Sequence, residues 1–121
     1  MLIRKLHNCE EIVAGDDARL RELLHPDRDY KFSGRYSLAH AVLAAGEKST
    51  KHRLATDEVY YILSGIGLMH VDDESARVVA GDAVEIAPGS SQWIENTGSG
   101  ELAFLCIVDP AWQAADEELL D

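Results

Sequence analysis

From Arg35 to Val108 hydrophobic and polar positions alternate in short runs, and glycine or proline breaks the pattern roughly every eight to twelve residues. The run RYSLAHAVL places Tyr36, Leu38, His40 and Val42 on one side and Ser37, Ala39, Ala41 and Leu43 on the other. A period of two predicts a strand with one bulky face and one mostly small face. Glu58 to Leu63 is rich in β-branched and aromatic residues and predicts another. Gly65 and Gly67 bracket the next turn, LMHV extends to Val71, and Asp72-Asp73-Glu74 reads as a hairpin tip. ARVVAGDAVEI divides into two strands around Gly81-Asp82. QWIEN follows the turn Pro88-Gly89, and ELAFLCIV follows the turn Thr97 to Gly100. About eight short strands with turns at this spacing predict an all-β sandwich or barrel.

The flanks are less regular. Residues 1–15 read as short extended pieces closed by a turn at Gly15-Asp16-Asp17. ARLRELLHP supports two readings. Leu20, Leu23 and Leu24 share one face of a short helix capped by Asp17, whereas Leu20, Glu22 and Leu24 share one side of a strand. Pro26 ends either element. The tail after Pro110 is acidic, with helical character, and Trp112 is expected to pin it to the barrel or to a partner. The chain therefore divides into an arm (1–34), a barrel (35–109) and a tail (110–121).

Composition narrows the partners. The 121 residues carry 22 acidic and 11 basic side chains, a formal net charge of -11. That balance disfavours nucleic acid and anionic membrane surfaces, which need a basic face. Cys9 and Cys106 have neither redox nor metal-ligand spacing, and Cys106 reads as a small core residue. No signal peptide or membrane-spanning run is apparent, so a cytoplasmic location is expected.

Chemistry concentrates in two stretches. GEKSTKHRLATDEVYYILSG, from Gly46 to Gly65, holds His52 and Glu58, and GDAVEIAPGSSQWIEN, from Gly81 to Asn96, holds Gln92. An imidazole and a carboxylate suit zinc, nickel, iron or manganese, but two ligands are too few for a stable site. A hydrogen-bonded His–Glu pair accounts for them equally simply.

Together the stretches resemble the two motifs of the cupin superfamily. Gly46, His52, Glu58 and Gly65 fall on the first motif, G-x5-H-x-H-x3-E-x6-G. Gly81, Gly89 and Asn96 fall on the second, G-x5-P-x-G-x2-H-x3-N, with Pro88 one place later than the motif proline. The resemblance implies an antiparallel jelly-roll β-barrel, often dimeric, and small single-domain relatives of the mannose-6-phosphate-isomerase-like type. It also implies a divalent metal held by three histidines and a glutamate. Here Leu54 and Gln92 replace two of those histidines, which leaves His52 and Glu58 with Gln92 as third ligand.

The expected function is a metal-dependent enzyme (isomerase, dioxygenase or lyase) acting on a small polar metabolite. The alternative is a non-catalytic dimeric cupin holding a small molecule in a metal-free pocket. A metal-free epimerase of the sugar-nucleotide type would need a His–Asp dyad, which the sequence does not locate.

Alternation from Glu58 sends Tyr60 and Ile62 inward and Val59, Tyr61 and Leu63 outward; alternation from Gln92 sends Ile94 inward and Trp93 outward. Tyr60 is thus a candidate acid/base, or a core tyrosine with its hydroxyl tied to a neighbour. Arg35 and Arg53 are candidate anion clamps or plain surface residues. His7 and His25 are expected in solvent, His70 has no assigned role, and His40 is expected at the interface of a homodimer.

Overall fold

The computed structural model describes residues 1–120. Eleven strands form two antiparallel sheets: β1 (Glu11–Val13), β2 (Arg19–Leu24), β3 (Ser37–Leu43), β4 (His52–Leu54), β5 (Asp57–Ser64), β6 (Ile66–Val71), β7 (Glu74–Val79), β8 (Ala83–Ile86), β9 (Ser91–Asn96), β10 (Leu102–Asp109) and β11 (Glu117–Leu119). One sheet has the order β1-β2-β3-β10-β5-β8 and the other β11-β4-β9-β6-β7. The sheets close on each other as a jelly-roll barrel. No helix among the described residues is long and apolar enough to cross a membrane.

The glycines set the corners. Gly46, Gly65, Gly81 and Gly89, all motif positions, have positive φ. Gly65 is the tightest: φ is +91°, and a Cβ there would lie 2.5 Å from the Glu101 carbonyl oxygen. Asn96 ends the second motif as a structural clasp. Its amide donates to the carbonyls of Leu43 (2.9 Å) and Gly100 (2.8 Å) and accepts from the Gly98 N–H (3.0 Å).

Several expectations change. ARLRELL is a strand, because β3 offers it a pairing edge and tertiary pairing outweighs a weak helix preference. An irregularity between Glu22 and Leu24 breaks its alternation. Leu20 and Glu22 pair with the inward-facing Ala41 and Ala39, whereas Leu24 pairs with the outward-facing Leu38. Asp17 caps no helix. It adopts φ 72° and accepts a 2.6 Å hydrogen bond from the Thr50 hydroxyl. The tail is one 3₁₀ turn (Ala114–Asp116) followed by β11, which pairs with the exposed edge of β4. Gly67 lies inside β6 rather than in the preceding turn.

One end of the barrel is solid. Leu43, Ile62, Met69, Ile94, Leu102 and Phe104 fill it and are buried together. Along the same strands the other end becomes polar: Ser37 on β3, Glu58 on β5, His52 on β4 and Gln92 on β9. The arm and the tail cross this end, so a hollow remains beneath them.

Candidate functional site

That hollow is a cavity of about 510 Å³. Its floor includes Ala41, Tyr60 and Phe104, and Ala39 and Ser37 of β3 line one wall as the small-faced side of that strand. His52 and Gln92 are directly paired across β4 and β9. Glu58 reaches them from the opposite sheet, its carboxylate accepting a 2.7 Å hydrogen bond from the Gln92 amide. The three residues of the two sequence stretches therefore converge, with His52 2%, Glu58 5% and Gln92 0% exposed. His52 and Glu58 line the cavity together with Leu54, which makes its part of the wall apolar. Gln92 lies behind Glu58, and its carbonyl oxygen is buried without a hydrogen-bond partner.

The His52 ring is fixed. Its Nδ1 lies 2.8 Å from the Thr50 carbonyl oxygen, which can only accept, so Nδ1 carries the hydrogen and Nε2 presents a lone pair. Nε2 faces Asp16 Oδ2 at 3.7 Å, too far for a direct hydrogen bond. Asp16 comes from the turn before β2, held by a backbone bond from Thr50 N–H to its carbonyl and by Ala18 N–H donating to its carboxylate. Nothing in the spacing distinguishes it from an ordinary turn aspartate. The arm thus brings an aspartate beside His52, without the direct hydrogen bond of a His–Asp dyad.

Burial governs the protonation of this end. The Glu58 carboxyl is pushed up to about 8, chiefly by loss of water, with Asp16 and Glu117 adding repulsion and the Gln92 bond opposing. Asp16 is also raised by burial, against the attraction of His52. Tyr60, 2% exposed, is raised by burial and the nearby carboxylates, and no hydrogen bond to its hydroxyl is present among the described residues. Cys106 lines the same wall, half-buried, and burial raises its thiol.

Other expected residues fall elsewhere. Arg35 pairs with Asp109 (2.6 Å) and Arg53 with Glu118 (3.7 Å), and neither lines the cavity. The arginines that do are Arg4 and Arg28, which sequence reasoning passed over. Trp112 pins the tail: its N–H donates to the Ser37 hydroxyl and its indole N–H to Glu117, while its ring lines the cavity. His25 is not in solvent but 1% exposed, accepting from the Asp27 N–H and donating to the Trp112 carbonyl. The strand end at Pro26 looked open, but the returning tail covers it. His40 faces outward with Val42, away from the cavity.

A cupin metal would sit where these residues meet. Two of the four motif ligands are replaced by Leu54 and Gln92. The Gln92 atom turned toward Glu58 is the amide nitrogen, a donor to hydrogen-bond acceptors and no metal ligand. Among the described residues no group of three His, Cys, Asp or Glu side chains is arranged to hold an ion. The donor set as arranged does not fit the family metal.

The architecture is that of a closed antiparallel barrel with a ligand-sized cavity at one end, its wall mixed polar and apolar. A family model for the cupin domain matches residues 39–108, and the chain belongs to the cupin family. An uncharacterised protein of Methanocaldococcus jannaschii is 40% identical over 110 residues, covering 90% of this chain and 86% of that protein. An oxalate-binding protein of Thermotoga maritima is 41% identical over 51 residues, 42% of each. Among solved structures, the nucleoside dehydratase Pac13 of Streptomyces superposes with a TM-score of 0.78 at 15% identity, covering 99% of this chain and 91% of that one, a likeness of fold.

Proposed function

We propose that the cavity binds a small polar metabolite and that His52 and Asp16 move a proton on it, an acid–base reaction of the isomerase or lyase class. The observation that carries this reading is the fixed tautomer of His52, which turns a lone pair toward Asp16 beside the cavity. A ligand proton placed against Nε2 passes to the ring, and Asp16 stabilises the imidazolium that forms. Tyr60 offers its free hydroxyl to an oxygen developing charge. Because Asp16 and Nε2 do not bond each other directly, a ligand atom in the cavity can sit beside the pair within hydrogen-bond distance of both.

The test is solvent exchange. Sugars, amino sugars, amino ketones, hydroxy acids and nucleosides incubated with the protein in D₂O would be read by mass spectrometry. Catalytic uptake of one deuteron by one of these, lost in His52→Gln and reduced in Asp16→Asn, is expected. No uptake with any class would remove the reaction.

The rival reading is a metal held by His52, Glu58 and Gln92, and the unpartnered Gln92 oxygen favours it. It requires the amide to turn over, so that its oxygen and the Glu58 carboxylate share a cation. Near-stoichiometric zinc, nickel, iron or manganese in protein purified without a tag or chelator, lost in His52→Ala, would establish it.

A homodimer accompanies either reading. The outer face of the six-stranded sheet carries Leu38, Val59, Tyr61, Leu105 and Ile107 in adjacent rows, none fully buried. A second copy is the cover this family's fold suggests. Sedimentation at micromolar concentration should show a dimer, and a clean monomer would overturn it.

A further inference from the structure

We propose that the ligand of this cavity carries a positively charged ammonium group, seated between Asp16 and Glu117 beside His52. The inference rests on the reading of the cavity as a small-molecule site and names the charge of what enters it. The end of the cavity near His52 is lined by hydrogen-bond acceptors. His52 Nε2 presents a lone pair, because Nδ1 holds the hydrogen against Thr50. Asp16 Oδ2 faces it at 3.7 Å. Glu117 lines the same space and receives only the Trp112 indole N–H.

Among the described residues no lysine or arginine pairs with Asp16, Glu58 or Glu117. The two cavity arginines are engaged away from them. Arg28 forms a forked pair with Glu22 at 2.6 and 3.1 Å. Arg4 lies over the Tyr30 ring and donates to the Leu23 carbonyl.

A second observation points independently to a guest. Tyr60 lines the cavity, is 2% exposed, and has a hydroxyl without a partner among the described residues. That hydroxyl is not among the fully enclosed atoms that lack a partner, so it opens on the cavity, where a bound molecule can reach it. An ammonium brings three donors and no acceptor, which matches the wall around His52. Tyr60, Phe104 and Trp112 also line the cavity, and aromatic rings suit a desolvated cation. A carboxylate-bearing ligand would instead meet two uncompensated carboxylates.

The experiment uses three probes of one shape: n-butylammonium, n-butanol and butyrate. Binding is followed by NMR at the Trp112 indole N–H and the Tyr60 ring. Butylammonium should shift both signals saturably, about tenfold more tightly than butanol, and butyrate should shift neither. Asp16→Asn and Glu117→Gln should each weaken the ammonium about tenfold. Two variants are used so that a fold defect in one leaves the other to decide. Equal binding of butanol, or tighter binding of butyrate, overturns the charge assignment while the cavity keeps its role. Unchanged affinity for butylammonium in both variants overturns it as well, since the cation then sits elsewhere. If no probe moves either signal, the ligand site itself fails along with the charge assignment.

Discussion

Two histidines on the same sheet are treated in opposite ways. His70, on the outer face of β6, has both ring nitrogens occupied: Ser75 Oγ lies 2.7 Å from Nδ1 and Glu95 Oε1 3.2 Å from Nε2. Its ring stacks on Trp93 at 3.7 Å and 4°. His52, on the inner face of β4, has one nitrogen tied to the backbone and the other facing a carboxylate beyond bonding distance. The half-buried outer histidine is satisfied and the fully buried inner one is not. Burial normally forces the reverse, because an unpaired polar group costs most where water cannot reach it. A site is recognisable here by what the fold leaves incomplete, and at the inner end His52 Nε2 and the Gln92 carbonyl oxygen are left without a hydrogen bond.

The largest test of that contrast is electrostatic. Below pH 4.5 the Glu58 carboxyl is protonated in both folded and unfolded chains. Between 4.5 and about 8 the unfolded chain has lost the proton and the folded one keeps it. Stability contributed by this group is therefore present at low pH and falls by about 1.4 kcal/mol per unit as pH rises through that window. Glu58→Gln has no such slope. In metal-free protein the stability difference between wild type and Glu58→Gln should shift by on the order of 4 kcal/mol between about pH 5 and 8.5, read by urea unfolding. A flat difference would mean that the inner site is solvated like the outer one, and the contrast would fail.

His25 supplies a third environment, buried and fully bonded. Its role is to hold the tail, and His25→Ala should cost about 2–4 kcal/mol through lost packing and two lost hydrogen bonds. On the outer face, a double-mutant cycle of His70→Ala and Trp93→Ala should give a coupling of about 1 kcal/mol. A coupling near zero would make the stacked pair incidental and weaken its use as the satisfied reference.

Much of this was legible in the sequence, and the limits have physical causes. Motif glycines at positive-φ corners, the two-residue period of β3, β5 and β9, and the meeting of His52, Glu58 and Gln92 all follow from spacing. Asp16 and Glu117 do not. Each lies in a segment without periodicity and reaches the cavity only because the arm and tail fold across the mouth. An aspartate in a Gly-Asp-Asp turn carries the same local signal whether it faces solvent or an imidazole. Leu24 escaped for a related reason: a single irregular residue reverses the face of everything after it, and no composition rule marks where that residue falls. His25 read as exposed because its cover comes from Trp112, far away in sequence.

The smallest expected effect is also the sharpest. Tyr60→Phe removes a hydroxyl that opens on the cavity and has no partner among the described residues, so no hydrogen bond within the fold is lost on substitution. Stability should stay within about 0.5 kcal/mol of wild type, because the hydroxyl opens on the cavity and supports no bond within the fold. Ser75→Ala removes an exposed hydroxyl that is bonded to His70, and should cost about 0.5–1 kcal/mol despite its exposure. A deletion at the cavity cheaper than one on the outer surface inverts the usual order, as expected where the inner hydroxyl is free to meet a guest. Tyr60→Phe should accordingly weaken whatever ligand the solvent-exchange screen identifies while leaving the unfolding midpoint unmoved. A loss of 2 kcal/mol or more from Tyr60→Phe would show an unseen partner for the hydroxyl, and Tyr60 would then belong with His70 among the satisfied groups.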